Sequence, residues 1–73
     1  MDELQRRSLW DILEGKSDGD LVFMAATAMS NAAALDRFSE NMGDGERRLA
    51  AEINSLVTAQ RPHLVAIVAA ALH

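Results

Sequence analysis

Leu21, Met24, Ala28, Asn31, Leu35, Phe38 and Met42 recur at alternating steps of three and four residues. That spacing holds one seam along a helix for three heptads, whereas a strand would scatter the same residues over both faces. A second stripe, Val22, Ala25, Met29 and Ala32, runs beside the seam and stops at Asp36. A helix over about 20–42 is therefore apolar round most of its first half and amphipathic in its second. Near its start it needs two neighbours, and the first helix is expected to be one of them. Asn31, the one polar member of the seam, reads as a surface-edge residue in preference to a buried register-setting asparagine.

The remaining sequence is also helix-favouring. Tyrosine is absent, and no stretch alternates apolar with polar residues. Three breakers divide it: Gly15–Asp20, Gly43–Gly45 and Pro62. A short helix over about 2–14 carries Leu4, Leu9, Ile12 and Leu13 on one side with Trp10 at the border. Asp2 is placed to cap it, Gly15 to end it in the left-handed conformation, and Lys16 to sit at its negative end. Ser17, Asp18 or Asp20 is placed to cap the next helix. After Met42, Gly43 suits a C′ position and Asp44 an N-cap. So few residues separate the two helices that they must fold back as an antiparallel hairpin.

The second arm of the hairpin spans about 45–72. Leu49, Ile53, Leu56 and Val57 form its stripe, which continues through Leu64, Ile67, Val68 and Ala71. Proline lacks a backbone donor and disfavours helical geometry at Arg61, so this arm is kinked or broken at Pro62. The stripe keeps its phase across Pro62, which favours a kinked continuous helix over a break with Pro62 opening a fourth helix. Residues 64–72 are apolar on every face. A monomer this small is expected to leave one side of them uncovered unless the first helix wraps over it.

Size and charge narrow the function. The chain has 73 residues, enough for one domain, so 1–73 is read as a single helical domain. Chains this short usually add disulfides, a metal or a second subunit to their core. With no cysteine, disulfides, thiolate metal sites and redox chemistry are ruled out, which leaves a partner chain. A net charge of −4 argues against general nucleic-acid binding, and the only basic pairs, Arg6–Arg7 and Arg47–Arg48, sit beside Glu3 and Glu46. No secretory signal is visible, and the nine-residue apolar run from Leu64 to Leu72 is about half a membrane span. The expectation is a cytoplasmic protein with no membrane insertion.

Motifs for chemistry fail on their own geometry. Gly15-Lys16-Ser17 resembles the end of a phosphate-binding loop, but Trp10 stands where that loop needs glycine, and a helix precedes it instead of a strand. An EF-hand loop counted from Asp18 would put Val22 and Met29 at ligand positions. His63 and His73 lie ten residues apart, too far to share a helical face at ligand spacing. Ser8, Ser17, Ser30, Ser39 and Ser55 have no histidine that the local pattern would orient. Asp36 and Glu40 stand one turn apart on a face read as exposed, with no cleft to shift them. No catalytic residue, cofactor or metal is expected, and the chain is not expected to be an enzyme.

The sequence thus predicts an all-α protein: an antiparallel helical hairpin with a short N-terminal helix packed across it, doubled into a helical-bundle homodimer. Its expected role is a small regulator, adaptor or antiactivator-like inhibitor that binds another protein through apolar helix faces. Leu9, Trp10 and Leu13, at the spacing of groove-docking helices, and Leu64, Ile67, Val68 and Leu72 are the expected interface anchors. For Trp10, folding into the chain's own core is the favoured alternative. Two other functions are open: a structural homo-oligomeric subunit with no outside partner, and a nucleic-acid-associated transcriptional regulator using Arg6, Arg7, Arg47 and Arg48.

Overall fold

In the computed structural model, which describes residues 2–73, every regular element is helical. Helix α1 covers Glu3–Glu14, α2 Asp18–Asp36 and α3 Asp44–Gln60; a 3-10 turn, Pro62–Leu64, then leads into α4, Val65–Leu72. The start signals act as their chemistry dictates. Asp2 accepts from the Gln5 amide at 2.8 Å while the Gln5 side chain accepts from the Asp2 amide, a reciprocal capping box. Ser17 caps α2 by accepting from the Asp20 amide at 3.1 Å. Gly15 ends α1 in right-handed geometry at φ −78°, not in the left-handed conformation expected of it.

α2 and α3 form the antiparallel hairpin. Asp36 at the end of α2 meets Arg47 near the start of α3, and Asp18 at the start of α2 meets Arg61 just past the end of α3. α2 stops at Asp36, six residues before the expected Met42. The reason lies in Gly43, which is buried against the backbone of Ala32 so closely that a β-carbon there would stand 2.5 Å from the Ala32 carbonyl oxygen. A helix continuing to Met42 would carry residue 43 about 16 Å beyond Ala32 at 1.5 Å per residue, so the chain must turn earlier. The reversal is made by Asn41, which takes the left-handed conformation at φ 67° that asparagine tolerates better than most residues. It is fixed by the Gly43 amide donating to Asp36 Oδ1 at 3.0 Å. Gly43 thus occupies the N-cap position of α3 and Asp44 its first turn, one place on from the expected roles.

Pro62 breaks the second arm outright instead of kinking it. Arg61 lies at φ −135°, ψ 64°, outside helical geometry, and Pro62 opens a new helical turn where its missing donor costs nothing. The redirected α4 packs on α2 and α3, while α1 lies along α3 in the same direction. The second neighbour of α2 is therefore α4, not α1. Leu13, Leu21, Ala25, Ile53, Leu56, Val57, Leu64 and Val68 form one apolar core to which all four helices contribute. The inward face of α2 is Leu21, Ala25, Ala28 and Ala32, members of both predicted stripes, and Asn31 is exposed at the edge. The far end of the predicted seam, Phe38 and Met42, lies in the turn and faces solvent.

Candidate protein-contact surface

The seven expected anchors separate into three groups. Leu13, Leu64 and Val68 are fully or almost fully buried in the chain's own core. Leu9, Trp10 and Leu72 are half-buried against that core. Ile67 alone is well exposed, at 52%. The apolar tail is therefore divided: one side of α4 fills the monomer, and the other, with Ala66, Ile67 and Ala70, faces out.

Trp10 is held by its polar edge. Its indole Nε1–H donates to Glu52 Oε2 at 2.7 Å, and the Arg6 Nε donates to the same oxygen at 2.8 Å while its guanidinium lies 5.3 Å from the indole centroid. These contacts, the indole N–H first and then Arg6, hold the Glu52 carboxyl below its ordinary value of 4.5. A carboxyl lowered in the folded state stabilises that state at neutral pH, and the contribution disappears as pH falls through the lowered value. Trp10 emission is thus expected to stay constant from neutral pH down to the carboxylate range and to shift red below it. Glu52→Gln should weaken this acid step, and an identical emission profile in that variant would refute the link.

A second polar cluster braces the open end of the hairpin, where α2 starts and α3 finishes. Arg61 donates to Asp18 Oδ1 at 3.0 Å and to the Glu14 carbonyl oxygen at 2.9 Å, and the His63 Nε2 lies 2.7 Å from Asp18 Oδ2. His63 first, then Arg61, lowers the Asp18 carboxyl from its ordinary value. This cluster ties the α1–α2 connector to the break between α3 and α4. At the hairpin tip Arg47 is gripped by Asp36 and Asp44. These acids are structural ties with their charge satisfied. Among the described residues no group of three or more His, Cys, Asp or Glu is arranged to hold a metal ion.

The exposed apolar surface centres on a residue that neither predicted stripe contains. Phe23, 70% exposed, projects from α2 beside an open groove of about 540 Å³ between α2 and α4, lined also by Val22, Ala26, Leu64 and Ile67, with Asp18 and Gly19 at one end. On its other side a smaller groove of about 190 Å³ runs between α2 and α3, past Met24, Asn31 and Leu49. The signal for this surface was present in the sequence as an absence: residues 21–35 and 64–72, a third of the chain, contain no charged residue. A helix with one face in water normally carries charges there, so two such helices side by side leave an uncharged outer face. Further exposed apolar residues, Leu4 and Ile12 on α1 and Phe38 and Met42 at the hairpin tip, lie outside this groove.

No protein-family model matches the chain, and comparison with curated proteins and with solved structures finds no match. No helix of the described residues is long and apolar enough to cross a membrane.

Proposed function

We propose that this chain is a non-catalytic protein-contact module that works through the uncharged α2–α4 face. It would act as a small regulator, adaptor or inhibitor of the protein it engages. The observation that carries this reading is Phe23, a mostly exposed aromatic ring beside an apolar groove between two stretches without charges, residues 21–35 of α2 and 64–72. Interface centres are depleted of charge and enriched in aromatic residues. The groove walls offer no converging polar groups to orient a small substrate, and Asp18 at its end is already tied to Arg61 and His63. Self-association as a helical-bundle homodimer belongs to the same reading, since either kind of partner would cover this face.

The alternative of a nucleic-acid-associated regulator draws little support from the arginines. Arg6 is paired with Glu52 and Arg47 with Asp36 and Asp44, so two of the four guanidiniums proposed for phosphate contact are neutralised within the chain. The contact reading is tested by capture from the source cell with wild-type and Phe23→Glu chains side by side. Proteins retained by the wild type are expected to be lost from the variant at equal helicity. Identical captured sets would overturn the assignment of this face.

A further inference from the structure

We propose that a second copy of the chain covers the α2–α4 face, with α2 pairing antiparallel to its counterpart across a two-fold axis; this rests on the contact reading above. The argument is one of charge. Burying a charge without a partner is costly, so the occupant of an uncharged strip must itself be uncharged along its centre. Residues 21–35 and 64–72 of another copy meet that requirement, and in a symmetric pair the Phe23 ring of each copy is covered by the uncharged second half of the other's α2.

The ends of α2 then fix the direction. Asp18 and Asp20 lie in its first turn and Arg37 at its C-cap, the acids and the arginine standing at opposite ends of the helix. Asp20 and Arg37 are both exposed, and neither takes part in an ion pair among the described residues. Antiparallel pairing brings Asp20 of each copy toward Arg37 of the other and opposes the two helix dipoles; parallel pairing would set acid against acid and arginine against arginine. A standard interface takes about 800 Å² from each partner, roughly a sixth of the 4721 Å² this chain exposes.

Sedimentation equilibrium from micromolar to near-millimolar chain concentration tests this, with circular dichroism confirming that each variant keeps its helices. The wild type is expected to dimerise with rising concentration. Phe23→Glu and Ile67→Glu should weaken dimerisation by roughly a hundredfold, because two-fold symmetry repeats each lesion and one anchor contact is worth about tenfold. Leu4→Glu, at a similarly exposed apolar residue on α1 outside the face, should leave it unchanged. Asp20→Arg and Arg37→Asp should each weaken the dimer several-fold, and combining both in one chain should restore it. A wild type that stays monomeric throughout, a dimer that tolerates Phe23→Glu, one broken by Leu4→Glu, or a charge swap that fails to restore would each overturn the proposal. A monomeric wild type whose captured partners are still lost on Phe23→Glu removes the second copy alone. Capture indifferent to Phe23 removes the contact reading itself.

Discussion

Gly43→Ala is expected to lower the stability of the fold by about 2 kcal/mol, the scale of an overpacked core position. In a domain of this size that corresponds to a fall of roughly 8–16 °C in the unfolding midpoint. The added β-carbon would stand 2.5 Å from the carbonyl oxygen, 2.7 Å from the α-carbon and 2.9 Å from the carbonyl carbon of Ala32. All three are backbone atoms of a helix, so no side chain can swing aside; α2 and the turn must separate. The conformation of Gly43 is not the issue, since φ −87° suits any residue. Gly45→Ala is the matched control. A β-carbon there meets nothing within 4 Å, and alanine inside α3 should stabilise by up to about 1 kcal/mol. Equal midpoints for the two variants in thermal melts would show that the Gly43–Ala32 contact does not hold the hairpin together.

Leu13→Ala is expected to have a larger effect, a loss of about 3 kcal/mol within the range for deleting a buried leucine side chain. Leu13 is fully buried in the core and is the one residue of α1 that is. Its truncation therefore tests whether α1 docks on its own chain or exchanges with another. A midpoint fall of more than about 10 °C, measured at the same chain concentration as the wild type, places Leu13 in the monomer's core. A Leu13→Ala chain with an unchanged midpoint but weaker self-association would instead put α1 on a neighbouring subunit. The side chains that tie α1 down, Trp10 and Arg6 to Glu52 and Glu14 to Gln60, should loosen in the variant and shift Trp10 emission as well.

The contrast between these two residues shows what was legible in the sequence. Breakers and caps act through a few adjacent residues, so the first two helices, the capping role of Asp2 and the antiparallel hairpin could be read directly, with Ser17 one of three candidates for the second cap. Distances between elements could not. The seam from Leu21 to Met42 gave no hint that its last turn would be surrendered so that Gly43 could reach Ala32, because that contact joins residues eleven apart through a reversal. Phase across Pro62 likewise favoured a continuous helix, since periodicity records which residues face inward and not whether the axis bends between them. For the candidate face, apolar character alone could not separate Val68, which fills the core, from Ile67 beside it, which does not. The stripes marked residues with a common orientation along each helix, and Phe23 escaped notice because it points away from both. Lack of charge on both faces of α2 was the more informative property.

The non-helical joint at Arg61 has a bearing on how such a chain tolerates change in length. In an unbroken helix, removing one residue would rotate everything beyond it by about 100° and turn Val68 out of the core. Here the relative rotation of α3 and α4 is set at a joint, Arg61 at φ −135° and ψ 64° followed by the 3-10 turn Pro62–Leu64, steadied by the Arg61 side chain on Asp18 and the Glu14 carbonyl. Insertions and deletions over evolutionary time would find their most forgiving place at that joint, where the two segments can drift in phase without dragging one another along.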